Sequence, residues 1–124
     1  MLTRAKRKNK YNSKKVSIDG MTFDSKAESQ YYLCLKRWKQ EGKVKEFKCQ
    51  VPFELIPGYR DQSGKKIRST HYIADFVVLY PDGSEDVIDV KGSRGIMTDV
   101  FKIKKKLFEW VYKKPIKIVT VNGK

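Results

Sequence analysis

The stretch YIADFVVLYPDGSEDVIDVKG, residues 72–92, contains two apolar runs, each of which includes one aspartate. Two apolar runs flank Pro-Asp-Gly, which predicts two antiparallel strands joined by a three-residue turn with Gly83 in the left-handed region. In that register Asp75 lies directly opposite Asp89, and side-chain alternation places Lys91 on the same face as Asp89. A shift of one residue would send the two aspartates to opposite faces, so the prediction depends on the turn.

Two opposed carboxylates in an apolar hairpin require a cation, because an unpartnered buried charge is strongly unfavourable. The triplet Asp/Glu-x-Lys is a weak signal alone, since it occurs four times, beginning at Asp24, Glu41, Glu46 and Asp89. Only the last lies in an apolar strand paired with another acid-bearing apolar strand. Oxygen ligands without His or Cys favour Mg²⁺ or Mn²⁺.

The charge of the chain predicts a nucleic-acid partner. Its 124 residues include 28 Lys or Arg and 14 Asp or Glu, a net charge of +14. The alternative is a merely soluble basic protein or a ribosome-associated piece. Residues 1–15 hold seven basic residues and no acid, which predicts a flexible arm lying along phosphates. Residues 16–124 are expected to form a single domain.

The remaining composition excludes several classes of protein. No apolar run approaches the roughly 18 residues of a membrane span. Cys34 and Cys49 lack zinc-ligand spacing and are typical of a reducing cytoplasm, the predicted location. His71, the one histidine, is expected to be a strand residue. The glycines form no P-loop, so no nucleotide cofactor is expected.

The order of the predicted elements is a hairpin, then α-β-β-β-α-β. A hairpin turns at Asp19-Gly20, a first helix runs from the N-cap Ser25 to Gly42, and a second helix is capped by Thr98. Pro52 places the first long strand at a sheet edge or bulge. This order predicts an α/β fold, a mixed central sheet flanked by helices.

The second helix is predicted to have two distinct faces. Its apolar residues are expected to form one buried stripe, consisting of Val100, Ile103, Leu107 and Val111. Its lysines are expected on another face, consisting of Lys102, Lys105 and Lys106. These lysines either contact phosphates or form an ordinary solvated helix face.

Glu28 has two interpretations that the sequence leaves open. In the first it completes a capping box with Ser25, stabilising the helix by about 1 kcal/mol. In the second it binds metal, because it falls about 60° from the centre of the helix's apolar stripe and can reach the sheet beneath.

The succession Glu28, Asp75 and Asp89-Val90-Lys91 resembles the site of the PD-(D/E)XK nuclease superfamily. The wider segments TFDSKAES, CQVPFEL, YIADFVV and VIDVKG look like small phage-encoded members, the catalytic domain of the TnsA transposition endonuclease and, more loosely, phage Holliday-junction nucleases. The likeness covers residues 11–122, with Ala74 where the superfamily name has proline.

The resemblance implies a restriction-endonuclease-like fold and a Mg²⁺-dependent endodeoxyribonuclease of a phage or its bacterial host. Glu28, Asp75, Asp89 and Lys91 would be catalytic, and Glu28, Asp75, Asp89 and the Val90 carbonyl would hold the ion. Lys91 would position or help to deprotonate the attacking water. Gln50 would orient the site, or else make an ordinary strand-end hydrogen bond.

DNA binding is assigned to the arm together with Arg94, Lys102, Lys105 and Lys106. Branched, Holliday-junction-like DNA is the expected substrate, and symmetric cutting of a junction requires a homodimer. The first hairpin, Trp38 and Trp110 are candidate interface elements, although a core position is expected for each. The alternatives are a non-catalytic nucleic-acid-binding module and a nuclease subunit of a larger phage or transposition complex.

Overall fold

The computed structural model describes residues 15–92 and 96–121, so Arg94 and the basic arm before Lys15 lie outside the described residues. The elements in chain order are β1 (Val16–Ile18), β2 (Met21–Phe23), α1 (Lys26–Gln40), β3 (Glu46–Ile56), β4 (Tyr59–Arg60), β5 (Lys66–Ile67), β6 (Thr70–Leu79), β7 (Glu85–Lys91), α2 (Asp99–Tyr112) and β8 (Ile116–Thr120).

The central sheet has the strand order β3-β6-β7-β8. The pairs β3–β6 and β6–β7 are antiparallel, and β8 is parallel to β7, with α2 as the crossover between them. One apolar core lies between the sheet and α1, and a second lies between the sheet and α2. The predicted mixed α/β sheet flanked by helices is therefore confirmed. No helix in the described ranges is long and apolar enough to cross a membrane.

The turns and caps form where the sequence predicts them. Tyr80 donates its N–H to the Ser84 carbonyl at 2.9 Å, which closes the three-residue loop with Gly83 at φ 92°. The resulting register pairs Phe76 with Ile88, as expected. Ser25 caps α1 and Thr98 caps α2 through their side-chain oxygens, each accepting a backbone N–H at 3.1 Å. Pro52 lies on β3, which is an edge strand of the described sheet.

Along the edge strand β3, the odd-numbered side chains change from one face of the sheet to the other. Phe47 and Cys49 pack in the core beneath α1, whereas Phe53 and Leu55 pack in the core beneath α2. Strict alternation would keep all four on one face. The change coincides with Gln50, whose φ of 52° lies in the left-handed region.

The paired strand β6 changes face at the same level. Phe76 and Val78 lie in the core beneath α1, whereas Tyr72 and Ala74 lie in the core beneath α2. The pairs on either side, Cys49 with Phe76 and Val51 with Ala74, keep one register. Asp75 therefore lies at the level where the two strands change faces together.

A small hairpin, β4 with β5, follows β3 and is closed around Asp61 and Gly64. The prediction of a buried apolar stripe on the second helix was wrong for three of its four residues. On α2, Val100, Ile103 and Val111 are exposed, and the residues that pack on the sheet are Phe108 with the partly buried Phe101, Leu107 and Tyr112. The helix has a second apolar face, formed by aromatic residues, and that face packs on the sheet.

Phe76→Ala is expected to lower the free energy of unfolding by about 3–5 kcal/mol, because the ring is fully buried and contacts Tyr31 and Phe47. Leu33→Ala is the matched control, since Leu33 is 46% exposed on α1 and should cost about 0.5 kcal/mol or less. Urea unfolding followed by circular dichroism measures both. Equal losses would contradict the placement of Phe76 in the core.

Candidate active site

The strands β6 and β7 part at Asp75. Their backbone pairing runs from Leu79 with Glu85 to Phe76 with Ile88. Hydrogen-bonded pairs recur at every second residue of an antiparallel ladder, so the next would join Ala74 to Val90. Instead the Val90 N–H donates to Asp75 Oδ2 at 2.7 Å. A carboxylate therefore takes the place of a backbone acceptor, and the sheet forks there.

Asp89 and Lys91 lie on the α2 side of this fork. Lys91 Nζ is 2.9 Å from Asp89 Oδ2, which confirms the prediction that the two share a face. The Tyr72 hydroxyl donates to Asp89 Oδ1 at 3.0 Å, and Lys91 Nζ lies 3.8 Å from the centre of the Phe101 ring. Both oxygens of the buried Asp89 carboxylate thus have partners, and the ammonium is held against an aromatic face.

Glu28 approaches from the α1 side. Its side chain is buried, and its Oε2 accepts a short hydrogen bond from the side-chain amide of Gln50. Its backbone N–H donates to Ser25 Oγ, which is one of the two hydrogen bonds of the capping box in the first interpretation. The carboxylate is directed to β3, as the second interpretation requires. This contact also shows that Gln50, the β3 residue with the left-handed backbone, belongs to the cluster, as predicted.

The carboxylates share one electrostatic field. Burial, together with the charges of Asp89 and then Glu28, raises the pKa of Asp75 to about 8. Burial likewise raises the pKa of Glu28 to about 7, with smaller contributions from the charges of Asp24 and Asp89. The pKa of Tyr72 is raised by burial and by its contact with Asp89. Such mutual repulsion indicates a site that favours added positive charge.

The donors fit a hard divalent cation chemically, but they do not form a closed ligand set. Within residues 15–92 and 96–121, no three Asp, Glu, His or Cys side chains are arranged to hold one metal ion. The N–H and C=O of a strand residue point to the same side, so the Val90 carbonyl is directed into the fork with its N–H. Asp89 would have to exchange Lys91 for the ion, and Glu28 would have to release or share Gln50.

The sequence did not reveal two residues of this cluster, Tyr72 and Phe101. Tyr72 is three residues from Asp75, a spacing that normal alternation places on the opposite face. The change of face at Asp75 brings its hydroxyl to Asp89. Phe101 is hidden in the predicted lysine-rich helix, where only its spacing of seven residues from Phe108 hints at a common face.

The predicted DNA-binding lysines are not equivalent. Lys102 and Lys106 are exposed, whereas Lys105 is half-buried and paired with Glu109 at 3.0 Å. Arg94 falls in the gap between the described ranges, so its role stays a prediction. His71 lies within β6, as expected.

The chain belongs to the family described as "Protein of unknown function (DUF1064)", whose sequence pattern matches residues 8–122. No curated protein and no solved structure matches it.

The raised pKa values predict how stability depends on pH in the absence of metal. A carboxyl group with a raised pKa in the folded state contributes stability below its ordinary pKa and loses it as the pH rises through the folded value. The Asp75 contribution should therefore fall between about pH 4 and about pH 8. Asp75→Asn retains an oxygen for the Val90 N–H, so its stability relative to wild type should increase from pH 5 to pH 8 in EDTA.

Asp82→Asn is the control, because turn hydrogen bonds from Ser84 lower the pKa of Asp82. The difference in free energy of unfolding between Asp82→Asn and the wild type should change below about pH 4 and stay constant from pH 5 to pH 8. Urea unfolding at each pH measures both differences. A flat difference for Asp75→Asn over the higher range would contradict the buried carboxylate cluster.

Proposed function

We propose that the protein is a metal-dependent endonuclease that hydrolyses DNA phosphodiester bonds with Mg²⁺ or Mn²⁺. The observation that carries the proposal is the buried Asp89–Lys91 ion pair beside Asp75, at the point where the sheet forks. Glu28 reaches the same cluster from α1. The order of these residues along the chain supports the proposal through the resemblance to the PD-(D/E)XK nucleases.

In this proposal Asp75 and Asp89 hold the ion, with the Val90 carbonyl and Glu28 as further ligands. When bound, the ion would lower the pKa of a water molecule and neutralise charge on the scissile phosphate. Release of Asp89 from Lys91 would free the ammonium to orient the attacking water and stabilise the phosphate in the transition state. Tyr72 would keep Asp89 in place through the hydrogen bond to Oδ1.

DNA is the proposed polymer because of the charge of +14 and the exposed lysines of α2. Phosphate contacts supply affinity without reading sequence, so discrimination is expected to follow DNA shape. Branched DNA of the four-way kind is the proposed substrate. A homodimer would bring the two sites that symmetric cutting of a junction requires.

A non-catalytic DNA-binding module is the alternative, and one observation favours it. Asp89 already has a cation, Lys91, so the cluster is partly neutralised without metal. In a binding module this ion pair would be permanent and divalent metal would have no effect. The two functions differ in cleavage and in metal-dependent stability, which the following experiments measure.

Asp89→Asn is expected to lower the rate of Mg²⁺-dependent cleavage by at least about a hundredfold. Its affinity for DNA should stay equal or rise, because a negative charge is removed. Linear, single-stranded, flapped and four-way DNA serve as substrates, with EDTA as the blank. Asp86→Asn is the matched control on the same strand, since Asp86 pairs with Tyr80 and Lys117 outside the cluster. Normal cleavage by Asp89→Asn would overturn the site, and absence of any cleavage by wild type would favour the binding module.

Millimolar Mg²⁺ is expected to raise the melting temperature of the wild type by several degrees, because an ion that binds only the folded state stabilises it. The shift should vanish in Asp75→Asn and persist in Asp86→Asn. Differential scanning calorimetry in matched ionic strength separates site binding from screening. An equal shift in all three proteins would show that Mg²⁺ acts elsewhere.

A further inference from the structure

The helix α2 carries an apolar surface that nothing in the described chain covers. Val100 is 62% exposed, Ile103 61% and Trp110 70%. Ile96 and Met97, just before the helix, and Val111 in its last turn are also exposed. Isolated exposed apolar residues are ordinary, but a contiguous set of this kind marks an interaction site.

The spacing of this surface is that of a helix-pairing seam. Val100, Ile103, Leu107 and Trp110 follow one another at intervals of three, four and three residues, the a/d repeat by which helices pack together. The opposite side of the same helix packs on the sheet through Phe101 and Phe108. The seam is therefore an additional apolar face, and of its four residues only the partly buried Leu107 also packs against the core of the domain.

We propose that this seam, defined by Val100, Ile103, Leu107 and Trp110, binds the same seam of a second copy of the chain, with the two α2 helices antiparallel. Antiparallel a/d packing places Val100 against the partner's Trp110, and Ile103 against the partner's Leu107, each contact occurring twice. A twofold axis between the helices makes the interface closed and self-complementary, the commonest form of protein dimer.

The charges at the ends of α2 favour this occupant. Asp99 begins the helix and the C-cap Lys113 follows it, about 21 Å away along the axis at 1.5 Å per residue. The two cannot meet within one chain, but antiparallel pairing brings Asp99 beside the partner's Lys113 at both ends. Lys113 Nζ lies 3.8 Å from the centre of the Trp110 ring, so this ammonium already sits at the end of the seam.

Nucleic acid fits the seam less well than a second copy does. The side chains of Val100, Ile103 and Leu107 cannot form a hydrogen bond with a phosphate or a base. Their burial against another apolar surface is favourable, because it removes them from water. Lys106, which flanks the seam, would repel its counterpart near the twofold axis. Salt should screen that repulsion and strengthen the dimer, whereas salt weakens contacts with DNA.

The seam is continuous with the proposed active site through α2. Phe101 on the sheet side of the helix contacts Tyr72 and holds Lys91 against its ring. Dimerisation would fix the helix that backs each site and would relate two sites by the same axis. The interface itself does not require nuclease activity, so its test uses neither DNA nor metal.

Sedimentation equilibrium of the full chain tests the interface. The wild type should be a monomer–dimer mixture whose dissociation constant falls as NaCl rises from about 0.1 M to about 0.5 M. Trp110→Lys should be monomeric with an unchanged circular dichroism spectrum. Leu33→Lys is the control, because Leu33 is also an exposed apolar residue of a helix but lies on α1. A wild-type monomer at every concentration, or a dimer that survives Trp110→Lys, would overturn the proposal.

A charge exchange tests the antiparallel arrangement. Asp99→Lys alone and Lys113→Asp alone should each weaken the dimer several-fold, because each leaves two like-charged pairs across the axis. The double variant should recover most of the wild-type affinity. Failure of the double variant to recover, with melting temperatures showing a folded chain, would overturn the antiparallel pairing.

Discussion

The hydrogen bond from the Val90 N–H to the Asp75 carboxylate is the interaction on which the candidate site depends. If the backbone hydrogen bonds continued through Ala74 and Val90, β6 and β7 would stay at the normal distance between paired strands, and no side chain could lie between them. The carboxylate satisfies the N–H of β7 in place of a carbonyl, so the strands separate without an unpaired buried donor. The backbone pairing therefore stops at the place where the acidic side chains of Glu28, Asp75 and Asp89 lie near one another.

The change of face at Gln50 and Asp75 explains how those side chains meet. In a regular sheet, groups on the α1 side cannot reach groups on the α2 side, because the sheet lies between them. Here Glu28 contacts Gln50 from one side, and Asp89 contacts Tyr72 and Lys91 from the other. Asp75 lies between the two groups. The aromatic cores on both sides of the sheet stabilise the layers that hold this repulsive cluster together.

Local chemistry allowed the sequence to predict much of this arrangement. Pro81-Asp82-Gly83 specifies its turn, the turn specifies the register, and the register brings Asp75, Asp89 and Lys91 to the same end of the hairpin. What escaped prediction depends on contacts between distant segments. Tyr72 reaches Asp89 only because β6 changes face, and no alternation pattern encodes that change.

The second helix shows the other limit of pattern reading. Val100, Ile103 and Val111 of its predicted apolar stripe are exposed, and the aromatic residues Phe101 and Phe108 pack in the core beside Leu107. Periodicity identifies that a helix has an apolar face, but two competing faces are distinguished only by how well each fits the sheet. Trp110, expected in the core, is exposed for the same reason, whereas Trp38 packs against the core beneath α1 as expected.

The proposed metal site lies in the fork between β6 and β7 and would accept one divalent cation. Its most direct test is a crystal of the protein soaked in Mn²⁺ and measured for anomalous scattering. One strong peak per chain is expected between the carboxylates of Asp75 and Asp89, with Lys91 Nζ withdrawn from Asp89 Oδ2. If the Lys91–Asp89 contact persists and the fork contains no peak after a soak in excess Mn²⁺, the proposed metal site is contradicted.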